Sequence, residues 1–298
     1  MDYLKIKNEI KSPLRYPGGK SKALKQILPM IPEFKEFREP LVGGGSVFIA
    51  LKQRVNNSVI FRINDLNSDL YCFWKIVKDD LENLIKQINK IKKEYPNGKE
   101  LYNKIFDLQS NNEYDKAVRF FIMNRITFSG LADSGGYSQQ AFDSRFTQSS
   151  IDRIDLLKPI MKNVHITNDD YEKLLFLEGT DVFIFLDPPY WKATKKRLYG
   201  KNGDLHLRFD HERFAENMKK CTYKWLITYD DCPKVRELFS FANIYEWKLQ
   251  YGMNNFKQEH AKIGNELFIS NYVPSPNDRS KIDEKKENIK IKTLDTFL

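Results

Sequence analysis

An α/β fold on a mainly parallel sheet is the class this sequence predicts, on three observations. The segments "SVIFRIN" (58–64), "DVFIFLD" (181–187) and "KWLITY" (224–229) are apolar and rich in β-branched or aromatic residues, as strands covered on both faces are. Each is followed by helix-compatible sequence, and strand alternating with helix makes neighbouring strands parallel. A chain of 298 residues is long enough to bury the core of one large domain or two of ordinary size.

Taken in chain order, "KIKNEIKSP" (5–13) is too charged for a central strand, and Pro13 has no N–H for a ladder. "RYPGGKSK" (15–22) contains Gly-Lys-Ser, the end of a phosphate-binding P-loop, but Leu14 stands where that loop needs its first glycine. In "FREPLVGGGSVFIAL" (37–51), Gly43, Gly44 and Gly45 lie between a short extended stretch and a run suited to a helix, so the backbone can turn sharply and pass close to a ligand. Asp65 follows at the tip of the second strand, where a carboxylate accepts hydrogen bonds from both hydroxyls of a ribose. A dinucleotide site needs a third glycine and a phosphate cradle, which are not found here. An adenosine-like ligand without pyrophosphate, such as S-adenosylmethionine, fits better than NAD.

Leu81, Leu84, Ile85, Ile88 and Ile91 recur at helical spacing, and a second helical pattern covers 113–125. The glycine- and serine-rich "TFSGLADSGGYSQQAFDSRFTQ" (127–148) reads as a turn or hairpin. A helical lobe with a hairpin, inserted into an α/β domain, suits substrate recognition, although a purely structural insert reads the same way. Residues 192–208 carry Lys195, Lys196 and Arg197 among other cations, which suits either a phosphate backbone or a solvated loop. From 275 onward the composition turns charged and polar, as in a disordered tail.

Charge and cysteine usage narrow the class only slightly. The formal charge is +9, with 49 Lys and Arg against 40 Asp and Glu, which many basic proteins share without binding nucleic acid. No run approaches the length of a membrane span and the N-terminus lacks an apolar signal core, so the expected location is the cytoplasm. Cys72, Cys221 and Cys232 are widely spaced, which suits neither a disulfide framework nor a zinc site.

The sharpest feature is "FLDPPYW" (185–191), at the end of an apolar strand where open α/β sheets place their ligand crevices. Asp187 offers an anionic acceptor, Pro188 a carbonyl freed by the stiff proline turn, and Tyr190 an aromatic face. Together they suit a planar base held by its exocyclic amino group. The alternative is a proline-terminated strand with a buried tyrosine.

The chain resembles the Dam-type DNA adenine-N6 methyltransferases. The resemblance rests on "RYPGGK" (15–20), "EPLVGGGSVF" (39–48), "NDLNSDLY" (64–71), "FIMNRITFSGL" (121–131), "LDPPY" (186–190) and "GNELFISNY" (264–272), which occur in the family's order. It implies a Rossmann-like, seven-stranded sheet of the S-adenosylmethionine-dependent methyltransferase type, formed by 1–74 and 160–273. A DNA-recognition insert would span 75–159 and a tail 274–298. It gives the methyl donor to Tyr16, Lys20, Gly43, Gly45, Asp65, Asp170 and Asp187, with Asp169 as an alternative to Asp170. Catalysis falls to Asp187, Pro188 and Tyr190, with no metal.

Double-stranded DNA is the implied partner, with Asn124, Arg125, Lys195, Lys196 and Arg197 as contacts; Arg125 could equally pin the lobe through an internal ion pair. Val42 stands where the family usually has an aromatic residue. An RNA adenine or DNA cytosine-N4 methyltransferase fits the same pocket chemistry, and a non-catalytic nucleic-acid-binding module fits the fold. Ile291, Leu294, Phe297 and Leu298 resemble a sliding-clamp-binding peptide in which Ile291 replaces the usual glutamine, although a disordered tail with chance apolar residues reads the same way.

Overall fold

The structure, a computed structural model, describes residues 9–16, 18–108, 110–130, 132, 135–191, 209–250 and 263–274. Lys195, Lys196 and Arg197, and the tail residues Ile291, Leu294, Phe297 and Leu298, lie outside the described residues.

In chain order the elements are α1 (Leu24–Ile27), β1 (Glu36–Glu39), α2 (Ser46–Lys52), β2 (Ile60–Asn64), α3 (Ser68–Asp79), α4 (Leu81–Glu94), α5 (Gly98–Phe106), α6 (Glu113–Ile126), α7 (Gln139–Arg145) and α8 (Gln148–Asp155). There follow β3 (Val164–Thr167), α9 (Tyr171–Leu175), β4 (Val182–Leu186), α10 (His211–Lys220), β5 (Lys224–Asp230), α11 (Pro233–Leu238), β6 (Asn243–Gln250) and β7 (Ile263–Ser270). They build a seven-stranded sheet in the order β3-β2-β1-β4-β5-β7-β6. Strands β1 to β5 pair in parallel, whereas β7 runs antiparallel to both β5 and β6.

The continuous apolar run of β4 follows from burial on both faces. Phe183 and Phe185 join Phe37 and Phe61 in a core beneath α2, α3 and the inserted helices, while Val182, Ile184 and Leu186 join Ile227 and Leu267 in a second core against α10 and α11. Full burial of each such side chain stabilises by about 1.5–3 kcal/mol. Polar substitution at any β4 position would therefore open one core or the other.

The order reverses at β1, which has β2 on one side and β4 on the other. Such a switch point leaves a crevice at the carboxyl ends of the strands. The glycine turn, Asp65 and Asp187 follow β1, β2 and β4 and so share this edge.

The insert packs through α6 onto α3, which in turn meets β3, and the expected limit at residue 74 falls inside α3. Asn67, Asn97 and Asn112 cap α3, α5 and α6 by accepting backbone N–H bonds. Each such cap is worth about 1 kcal/mol. The expected turn or hairpin at 127–148 is a 3-10 turn at Phe128–Gly130, one bridge between Thr127 and Tyr137, and then α7. Ser138 caps α7 at the Ala141 N–H, so the chain beyond the bridge becomes a helix rather than a returning strand. No described helix is long and apolar enough to cross a membrane.

Candidate active site and nucleic-acid face

The glycine turn takes its shape from backbone angles and from two aromatic neighbours. Gly43 and Gly45 have φ of +47° and +66°, the left-handed region that favours glycine. A Cβ on Gly43 would lie 2.9 Å from the Tyr16 ring, and one on Gly45 would lie 2.9 Å from Trp74. Tyr16 is thereby laid against the turn, and the Trp74 Nε1–H secures it by donating to the Gly43 carbonyl at 3.1 Å.

Asp65 ties the next strand end to this turn. Its Oδ2 accepts the Gly43 N–H and its Oδ1 the Asn67 N–H, both at 3.0 Å. Just before it, Asn64 donates to the Pro40 and Asp169 carbonyls at 2.9 Å and accepts from Thr167 and the Asp169 N–H. One buried amide therefore joins the ends of β1, β2 and β3. Asp170 caps α9 through the Glu172 N–H and takes both guanidinium nitrogens of Arg213 at 3.1 Å, while Asp169 pairs with Lys173.

At the end of β4, Asp187 and Tyr190 close around a cation. Lys20 is 4% exposed, and its Nζ lies 2.7 Å from Asp187 Oδ1 and 4.9 Å from the Tyr190 ring centroid. The Thr228 hydroxyl also donates to Asp187 Oδ1, at 2.8 Å.

The β5–β7 register sets Asp230 opposite Glu266, and the two grip adjoining residues. Asp230 Oδ1 accepts the Trp191 N–H at 2.8 Å, and fully buried Glu266 accepts the Tyr190 hydroxyl at 2.7 Å. The Tyr190 ring also stacks on Tyr229. Glu39, at the end of β1, accepts the Phe48 N–H at 2.9 Å. Burial, reinforced by nearby Asp187 and Asp65, pushes its carboxyl well above the ordinary range despite that bond.

Of the contacts expected for DNA, Asn124 and Arg125 lie in the interior of the insert. Asn124 has no exposure; it accepts the Arg15 N–H and donates to the carbonyls of Arg15 and Gly130. It braces the segment before the GGK turn against the turn after α6, where a Cβ on Gly130 would lie 2.3 Å from the Arg15 oxygen. Arg125 lies over Phe121, and its buried Nε–H has no hydrogen-bond partner among the described residues. Burial lowers its pKa to about 10, with Arg153, Arg15 and Arg145 adding repulsion. Among the described residues, no carboxylate forms an ion pair with any of these four arginines, so the internal ion pair open to Arg125 is not formed.

Sequence reasoning left several members of this site unassigned. Glu39 and Glu266 lay inside quoted motifs, and Thr228 and Asp230 follow one another with one residue between at the end of a recognised strand. Arg15 opened the quoted "RYPGGK". Their partners lie across the sheet or on another element, and residue spacing does not report them.

A seven-stranded sheet with an antiparallel strand, β7, between β5 and β6, and with an acid- and glycine-lined edge at the switch point, defines a methyltransferase fold. Residues 16–253 match the family model of the D12 class N6 adenine-specific DNA methyltransferases, and the chain belongs to that family. It is thus an enzyme that methylates adenine in DNA. The Type II methyltransferase M.MjaIII of Methanocaldococcus jannaschii is 27% identical over 298 residues, covering 89% of this chain and 100% of that protein. The Type II methyltransferase M1.LlaDCHI of Lactococcus lactis subsp. cremoris is 26% identical, with 87% of this chain and 94% of the relative covered. A DNA adenine methylase of Vibrio cholerae is 26% identical, with coverages of 78% and 85%.

Proposed function

We propose that the methyl donor is S-adenosyl-L-methionine and that it lies along the carboxyl edge of β1, β2 and β4, held by Tyr16, Lys20, Gly43, Gly45, Asp65, Asp170 and Asp187. The donor set fits such a ligand. The Asp65 carboxylate is held at the glycine turn by the Gly43 and Asn67 N–H groups, at the strand end where an acid suits the two ribose hydroxyls. The turn lets backbone approach closely, Tyr16 supplies a flat apolar wall, and Lys20 supplies a cation for a carboxylate. When bound, the donor supplies a methyl on a sulfonium, whose bonding pair returns to sulfur as the adenine nitrogen lone pair forms the new C–N bond.

The target is an adenine extruded from double-stranded DNA, because a base inside the helix cannot reach such an edge. Tyr190 stacks on it, and Asp187 with the Pro188 carbonyl accepts from its amino group. As the nitrogen becomes cationic, the Asp187 carboxylate offsets that charge and then takes the surplus proton. The observation that carries this reading is Asp187 and Tyr190 closing together on one nitrogen cation, beside the glycine turn.

Residues 75–159 are assigned to DNA recognition, and the catalytic domain to 1–74 and 160–273. Arg15, Arg125, Arg145 and Arg153 gather where no described acid offsets them, and a phosphate backbone supplies the missing charge. The segment with Lys195, Lys196 and Arg197 follows Tyr190 in the chain and suits the phosphates beside the extruded base. The assignment is tested by incubating the protein with labelled donor and duplex DNA, then digesting to nucleosides. Label in N6-methyladenine is expected. Label confined to N4-methylcytosine, or incorporated only into RNA, would overturn it.

A further inference from the structure

Lys20 occupies the groups that the proposed reaction gives to the target amino group. Its ammonium pairs with Asp187 Oδ1 at 2.7 Å, donates to the Gly18 carbonyl at 2.8 Å and stands 4.9 Å from the Tyr190 ring centroid. Asp187 Oδ1 also accepts from Thr228, so two donors already share one oxygen. A carboxylate has about two lone-pair sites on each oxygen, and these two donors take both of those on Oδ1. A cation held there also opposes the positive charge that forms on the attacking nitrogen. Ammonium and target amino group therefore compete for one subsite.

We infer that Lys20 exchanges between Asp187 and the α-carboxylate of the methyl donor, so that donor binding itself clears the amino-group subsite. The inference rests on the reading of the site given above, and deepens it. Lysine suits the role because its charge sits on a flexible four-carbon stem, so Nζ can swing while the backbone stays in place. With Lys20 on Asp187, the carboxylate is matched and held closed. With Lys20 on the donor, the carboxylate faces the base with its full charge. The coupling is reciprocal, so an adenine in the subsite raises affinity for the donor by the same factor. Lys20 is then a positioning residue that orders the two ligands, in addition to holding one of them.

The test compares binding of two duplexes that differ only at the methylated position, one with adenine and one with unsubstituted purine, which lacks the amino group. Affinities for the full chain are measured alone, with S-adenosyl-L-homocysteine, and with 5′-methylthioadenosine, which has the nucleoside but no carboxylate. The preference for adenine should rise roughly tenfold with S-adenosyl-L-homocysteine, as a charge-assisted hydrogen bond becomes available. It should not move with 5′-methylthioadenosine. In Lys20→Met, checked for folding by circular dichroism, the preference should be present with no nucleoside added.

An unchanged preference across the three conditions, or an equal response to both nucleosides, would overturn the exchange, and neither comparison needs a variant. A protein that methylates DNA but fails this comparison keeps the catalytic assignment and loses the exchange. One that methylates no adenine loses the assignment beneath it.

Discussion

The carboxyl edge of the sheet and the arginine face of the insert treat charge in opposite ways. At the edge, charges meet partners: Lys20 with Asp187, Arg213 with Asp170, and the Tyr190 hydroxyl with Glu266. In the insert, Arg125 is buried beside three other arginines, with no ion pair to a described acid. A matched edge is organised before its ligand arrives and resists displacement, which suits chemistry on one atom. An unmatched face stores repulsion that a polyanion relieves, which suits binding along a backbone.

Apart from Asp187 itself, the largest departure should come from the ring that carries the base. Tyr190→Ala removes a stacking surface and should lower single-turnover methyl transfer by roughly a hundredfold, whereas Tyr190→Phe keeps the ring. Equal losses in both variants would move the role from the ring to the hydroxyl. Glu266→Gln keeps an acceptor for that hydroxyl but removes its charge, and should slow the same step by about tenfold with donor affinity unchanged. A matching fall in donor affinity would make Glu266 a general support of the edge rather than a grip on Tyr190.

On the arginine face the expected effects are on binding. Arg15→Gln and Arg145→Gln should each reduce the slope of log affinity for DNA against log salt by about 1, while single-turnover rates at saturating DNA stay near wild type. An unchanged slope would place the DNA elsewhere. Arg125→Met should weaken DNA binding yet leave thermal stability equal or raised by about 1–4 kcal/mol, because it removes a buried cation without an acid partner. A marked loss of stability would show that the guanidinium is structural.

The smallest effect is a pH dependence from Glu39. Its folded pKa lies above its unfolded value near 4.5, so its contribution is fully present below that value and is lost as pH rises through the folded pKa. Glu39→Gln retains an acceptor for the Phe48 N–H and cannot ionise. Its melting temperature should fall less than that of the wild type between about pH 5 and pH 8. Parallel curves for the two proteins would mean that Glu39 does not titrate in this window.

How much of this was legible beforehand depends on whether a feature is local. The strands around 58–64, 181–187 and 224–229 could be read because burial on both faces leaves an apolar run, and β2, β4 and β5 lie there. The glycine turn and the Asp187–Tyr190 loop were legible from residue type alone. By contrast β3, "VHIT", is only four residues long with an exposed polar alternation, and its pairing with β2 comes from register. The α7 helix replaced part of the expected turn or hairpin because one Ser138 cap outweighed a glycine-rich preamble. Side chains that act across elements were least visible. Thr228 meets Asp187 across neighbouring strands, Glu266 meets Tyr190 from the antiparallel strand, and the arginine cluster draws on four separate segments.

The central claim is that Asp187 acts on the target amino group, and that this role outweighs its share in holding the donor. Asp187→Ala should be assayed for methyl transfer to duplex DNA, with calorimetric binding of S-adenosyl-L-methionine measured on the same preparation. The account predicts a loss of roughly a hundredfold or more in transfer, with donor affinity changed far less. Normal transfer by a variant that binds the donor as the wild type does would contradict it.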